Sequence, residues 1–84
     1  MKKIVITGGA GFIGSWVLKE LFLSHKDAEF AIIDNLCCGS SKTIKRYTDT
    51  NRVNLYKVDL KDIDSIKDIF NNATDVYHFA ANAD

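Results

Sequence analysis

The apolar positions fall into short unbroken runs divided by polar turns, and between these runs they recur at helical spacing. Residues 2–7 (KKIVIT) form a β-branched run that ends on a glycine cluster, the pattern of a strand buried on both faces. From Phe12 the apolar residues return as Ile13, Val17 and Leu21, with Leu18 and Phe22 beside them and Lys19 and Glu20 opposite. This period predicts a helix that opens inside the glycine cluster and ends near Ser24. After the polar turn His25-Lys26-Asp27, residues 29–34 (EFAIID) give a second strand that stops at an acidic side chain. Residues 39–52 are polar and weakly periodic, so a loop is expected, with at most a short helix around Lys42 to Tyr47. Residues 53–58 alternate as a third strand, and Asp62 stands where it can cap a helix whose buried face holds Ile63, Ile66, Ile69 and Phe70. Residues 74–80 (TDVYHFA) make the fourth strand. Strands alternating with helices predict right-handed crossovers and a parallel sheet, an α/β fold.

Composition narrows the chemistry. The 84 residues carry 11 basic and 11 acidic side chains and are 46% apolar, which excludes a disordered tail. A formal net charge of zero gives no field to draw nucleic acid or an anionic lipid surface. The uncharged stretch near the N-terminus, residues 4–18, contains four glycines and is too short and too broken for a membrane span or a signal-peptide core. A cytoplasmic protein with no nucleic-acid or membrane partner is expected. Cys37 and Cys38 are adjacent, so they cannot staple distant segments, and with His25 and His78 far away they form no metal-ligand spacing. They read as reduced thiols in a loop, and no metal is expected. A chain of this length buries about 60 to 65% of its unfolded surface, whereas α/β domains usually need about 100 to 200 residues. The domain is therefore small or incomplete.

The candidate chemistry lies where the first strand hands over to the first helix, in Thr7-Gly8-Gly9-Ala10-Gly11-Phe12-Ile13-Gly14. Gly9, Gly11 and Gly14 satisfy G-x-G-x-x-G, while Gly8, Gly11 and Gly14 satisfy a variant spaced by three, and both registers remain open. Glycines permit a tight turn, let a pyrophosphate approach the backbone and let helix and strand pack closely. The helix N-terminus then offers unpaired N–H groups to phosphates. Asp34 follows Gly14 by 20 residues at the end of the second strand. A carboxylate there accepts hydrogen bonds from the ribose hydroxyls and repels a 2′-phosphate, which favours NAD over NADP; a plain strand-end carboxylate is the other reading.

Four separated features, Thr7 to Gly14, Asp34-Asn35-Leu36, Asp59-Leu60 and His78-Phe79-Ala80-Ala81, resemble the N-terminal part of the extended short-chain dehydrogenase/reductase family. Within it they are most similar to the NAD-dependent sugar-nucleotide epimerases and dehydratases, UDP-glucose 4-epimerase-like proteins being the nearest subgroup. The resemblance implies a Rossmann-type parallel sheet of order 3-2-1-4, an incomplete half of a doubly wound NAD-binding domain spanning residues 1–84. It implies that Gly8, Gly11, Phe12, Ile13 and Gly14 surround the pyrophosphate, and that Asp34 and Asn35 hold the adenosine ribose with Cys38 and Gly39 touching it. Asp59 and Leu60 bound the adenine, and Phe79, Ala80 and Ala81 line the path to the nicotinamide. Beside these stand plainer readings: Asp59 as a cap or loop carboxylate, and Phe79 and the alanines as core. His78 reads as a packed strand residue, and Lys42, Lys45 and Arg46 as a solvated helix face.

In this family NAD transiently takes a hydride from a sugar carbon while a tyrosine, tuned by a lysine four residues on, removes the hydroxyl proton. Here Tyr47 is followed at that spacing by Asn51, Tyr56 by Leu60 and Tyr77 by Ala81, so no Tyr-x-x-x-Lys is present and no catalytic residue is assigned. The resemblance implies that the chain is the cofactor-binding fragment of an isomerase or lyase acting on a nucleotide sugar, a homodimer when full length, with its catalytic and substrate-binding regions absent from these residues. A non-catalytic dinucleotide-binding or redox-sensing module, or a truncated fragment without function, are the alternatives. In the order 3-2-1-4, the fourth strand would be an edge exposing Val76 and Phe79, and the sheet face away from the first helix would be covered only by the helix near Asp62 to Phe70.

Overall fold

The computed structural model describes residues 2–8, 10–35, 41–58 and 61–79. Four strands, β1 (Lys3–Thr7), β2 (Glu29–Ile33), β3 (Val53–Tyr56) and β4 (Asp75–His78), form one parallel sheet in the order β3-β2-β1-β4. Helix α1 (Phe12–Ser24) joins β1 to β2. A 3-10 turn, Ser41–Ile44, runs into the short α2 (Lys45–Thr48) before β3, and α3 (Ile63–Ile66) precedes β4. The chain steps from β1 outward to β2 and β3 and then crosses back to β4, so the strand order reverses between β1 and β4. In open α/β sheets, that reversal opens a crevice beyond the strands' carboxyl ends, where ligands bind.

Strand periodicity divides the core into two layers. Ile4, Ile6, Phe30 and Ile32 face one side, where they pack with Leu18 of α1 and with Ile44 and Val53. Val5, Ala31 and Ile33 face the other, against Ile66 and Ile69. Both faces of β1 and β2 are thus covered, which is why these strands read as continuous apolar runs rather than alternating ones. Full burial of each large aliphatic or aromatic side chain here contributes about 1.5–3 kcal/mol.

Several expectations need correction. The buried line of α1 runs through Gly14 and Leu18, and Ile13, placed on the inner face by its spacing, is 61% exposed. The inner face of the helix is thus a buried glycine and Leu18, with Leu21 and Phe22 packed against the core beside them. Strand β3 ends at Tyr56 instead of residue 58, and α3 is one turn long. Beyond it the chain continues in tighter turns, with the N–H of Ile69 donating to Ile66 O (2.9 Å) and that of Asn71 to Asp68 O (3.2 Å). Those turns still bury Ile66 and Ile69 and end at Asn72, whose φ is 65°. Strand β4 is shorter than the run 74–80, while its place at the edge, with Val76 51% exposed, is as expected.

Arg52, which the polar composition of residues 39–52 hides, ties the amino end of the sheet together. Its Nε donates to Ala28 O (3.0 Å), and its Nη2 donates to Phe22 O (3.3 Å) and to His25 O. Phe22 lies in the last turn of α1 and His25 is that helix's C-cap, so the cation sits on the helix's negative end. The guanidinium carbon also lies 4.2 Å from the centroid of the Phe22 ring.

Candidate functional site: the glycine turn at the strand-order reversal

At the carboxyl end of β1 the chain turns at Gly8, whose φ of 73° lies in the region glycine enters without steric cost. The Gly8 N–H donates to Ile33 O (2.7 Å), fastening the turn to the end of β2, and the Gly11 N–H donates back to Gly8 O (3.1 Å). Gly11 is the N-cap of α1 in extended backbone (φ −80°, ψ 178°) with no side-chain cap, and Gly14 is buried in the first turn. Each of these three glycines has a distinct structural task; Gly9, on which the alternative register rests, lies outside the described residues.

The first intrahelical bond of α1 runs from the Ser15 N–H to Gly11 O (2.9 Å). The amides of Phe12, Ile13 and Gly14 precede it and point out of the helix's positive end. The first turn holds no acidic residue, and Phe12 is 85% exposed. A Cβ at Gly11 would lie 3.4 Å from Gly8 O, already in contact, so a side chain there would add bulk inside the turn. Uncapped donors, a bare backbone and a helix dipole together suit an anionic group such as a pyrophosphate.

Asp34, half-buried just past β2, faces the same turn: its Oδ2 accepts from the Ala10 N–H at 3.0 Å, across 24 residues of sequence. Its own N–H donates to Tyr56 O (3.1 Å), which ties the end of β2 to β3. Asn35 follows, exposed. The structure thus brings Gly8, Gly11, Phe12, Ile13, Gly14, Asp34 and Asn35 to one end of the sheet. Cys38, Gly39, Asp59, Leu60, Ala80 and Ala81 lie outside the described residues, as does Cys37.

Across the strand-order reversal, Phe79 leaves β4 and is 38% exposed rather than core. Its N–H donates to Thr7 O (2.9 Å) and to Thr7 Oγ1 (3.1 Å). The Thr7 hydroxyl also lies 2.6 Å from His78 Nδ1, and Thr7 itself is 1% exposed. Thr7 therefore pins the exit of β4 to the end of β1, a role not assigned from sequence. The available signal was a hydroxyl in an otherwise apolar buried strand, which must find a partner. His78 is exposed, not packed, because its strand is the sheet edge, and its ring reaches back to this hydroxyl. Lys42, Lys45 and Arg46 are exposed, with Lys45 Nζ 3.0 Å from Asp49 Oδ2. A concavity lined by Lys26, Glu29, Asn51 and Arg52 lies at the opposite, amino end of the sheet, where the Arg52 guanidinium is committed to backbone carbonyls.

Comparison with known proteins agrees with this geometry. The family model described as GDP-mannose 4,6 dehydratase matches residues 5–84. The chain is 38% identical over 81 residues to the UDP-glucose 4-epimerase of Pasteurella multocida, covering 92% of this chain and 23% of that protein. Among solved structures, it is similar to the UDP-Glc/GlcNAc 4-epimerase from Campylobacter jejuni, with a TM-score of 0.82 and 36% identity, over 100% of this chain and 26% of that one. It is also similar to the Thermus thermophilus UDP-glucose 4-epimerase in complex with NAD, with a TM-score of 0.76 and 34% identity, over 96% of this chain and 24% of that one. The chain thus spans about a quarter of the length of these relatives. A match that runs through the glycine turn, the acidic end of β2 and the reversal between β1 and β4 leaves one assignment: the chain belongs to the GDP-mannose 4,6 dehydratase family of sugar-nucleotide epimerases and dehydratases.

Proposed function

We propose that residues 1–84 are the N-terminal, NAD-binding part of a sugar-nucleotide epimerase or dehydratase. The observation that carries this reading is the Gly8–Gly11–Gly14 turn opening α1 with the Asp34 carboxylate set across it. In it, the turn and the amides of Phe12, Ile13 and Gly14 hold the pyrophosphate, and Asp34 and Asn35 hold the adenosine ribose. Cys38, Gly39, Asp59 and Leu60 complete the adenosine side, and Phe79, Ala80 and Ala81 border the nicotinamide. NAD, when bound, supplies the hydride acceptor. This chain's residues bind and orient it; no Tyr-x-x-x-Lys is present among them, so the proton-transfer pair and the nucleotide-sugar site belong to the remaining three quarters of the relatives' length. Full-length assembly as a homodimer and a cytoplasmic location are part of the same proposal. Among the described residues, no helix is long and apolar enough to cross a membrane.

Asp34 makes the cofactor choice testable. A 2′-phosphate held about 4 Å from its carboxylate is repelled by about 4 kcal/mol at an effective dielectric of about 20, and by about 1 kcal/mol in bulk water. Calorimetric titration, with circular dichroism confirming a folded chain, is expected to give saturable NAD binding at least about tenfold tighter than NADP, the factor that about 1.4 kcal/mol produces. Equal affinities, or preference for NADP, would overturn the proposed role of Asp34.

A further inference from the structure

We propose that Asp34 is a positioning residue for the phosphate-binding turn in addition to its ribose contact, an inference that rests on the NAD-binding reading above. Among the described residues, the turn is held to the end of β2 by hydrogen bonds from Gly8 N–H to Ile33 O (2.7 Å) and from Ala10 N–H to Asp34 Oδ2 (3.0 Å). The first is backbone to backbone and independent of side chain. The second depends entirely on residue 34. Ala10 is 1% exposed, so once the carboxylate is removed its amide has poor access to water as a substitute partner. The segment it fixes lies between Gly8 and Gly11, where glycine gives the backbone its widest choice of conformations. A brace of this kind matters most in such a segment, since a loop already held in its binding shape loses less freedom when a ligand arrives.

The consequence separates Asp34 from a simple ribose ligand. One carboxylate oxygen orders the turn that meets the pyrophosphate, so removal of the side chain weakens phosphate binding even for a ligand with no ribose hydroxyls to recognise. Asparagine presents a carbonyl oxygen at the same place and retains the brace without the charge.

The test is a cycle of protein variants against two probes, NAD and its adenosine-2′,3′-dideoxy analogue, titrated into the wild-type chain, Asp34→Ala and Asp34→Asn. The expected result is that Asp34→Ala weakens the dideoxy analogue by about tenfold, the scale of one lost hydrogen bond to a charged group, and that Asp34→Asn restores it to within about threefold of wild type. Unchanged affinity of the dideoxy analogue for Asp34→Ala would overturn the proposal while leaving the NAD reading intact. A second readout, independent of any ligand, is amide hydrogen exchange at Ala10. Protection is expected in wild type and Asp34→Asn and lost in Asp34→Ala; protection that survives in Asp34→Ala overturns the brace. Loss of protection together with no NAD binding by the folded wild-type chain would instead uphold the brace and reject the NAD reading.

Discussion

Gly11→Val is expected to leave the chain folded while lowering its NAD affinity at least about a hundredfold, the loss of roughly 2.8 kcal/mol of binding free energy. The two effects separate because Gly11 is not conformationally special. Its φ of −80° and ψ of 178° are ordinary extended backbone, which valine favours. A Cβ at this position meets Gly8 O at 3.4 Å, a normal contact, so the first carbon is tolerated. The two methyl groups beyond it add bulk to the glycine turn at the start of the helix, where the proposed pyrophosphate needs unobstructed backbone. The loss of a glycine N-cap costs the helix about 1 kcal/mol at most, too little to account for lost binding. Thermal melting by circular dichroism and NAD titration of the same sample check both halves. Unaltered NAD affinity in a folded Gly11→Val chain would remove the turn from the proposed site.

Arg52→Ala carries the largest expected loss of stability, about 2–3 kcal/mol. Its guanidinium donates to three backbone carbonyls, those of Phe22, His25 and Ala28, across the turn between α1 and β2. Hydrogen bonds to charged groups are worth about 1.5–3 kcal/mol each, yet they are not additive, and Arg52 is only partly buried, so water replaces part of what is lost. Its stacking over Phe22 adds packing that alanine also removes. Arg52→Lys is expected to recover less than half, because an ammonium is a single point donor and the site uses a planar fork. Urea unfolding measures this, and a loss below about 1 kcal/mol in Arg52→Ala would show that the C-terminal end of α1 is held by apolar packing alone. A small domain has only about 5–15 kcal/mol of stability to lose, so the predicted change is readily resolved.

What could be read from the sequence divides along the range of the interactions. The strands β1 and β2 were legible because burial on both faces writes itself as an unbroken apolar run, and α1 because its start coincides with a glycine cluster. Their order in the sheet came from the family resemblance. The register of the glycines could not be chosen from spacing alone, and spacing gave no sign that the chain turns at Gly8 with a positive φ. Asp34 was found by its distance from the glycines, but its contact with Ala10 joins residues 24 apart through one carboxylate oxygen, which no local pattern encodes. Arg52 was missed for the same reason: its partners lie 24 to 30 residues earlier, and the side chain itself sits in a polar stretch like any solvated arginine. The misjudged exposure of Ile13 and His78 has a different origin. Periodicity assumes that an apolar or strand residue turns inward, whereas Ile13 stands at the mouth of the proposed cofactor site and His78 on an edge strand.

The most direct test of the central claim is an NAD titration of the isotopically labelled chain followed residue by residue through its backbone amide resonances. Saturable shifts are expected at Gly8, Ala10, Gly11, Phe12, Ile13, Gly14, Asp34, Asn35 and Phe79, with Lys26, Glu29, Asn51 and Arg52 at the opposite end of the sheet unmoved. Shifts centred on that opposite end, or a folded chain whose glycine-turn amides do not respond to NAD, would contradict the account.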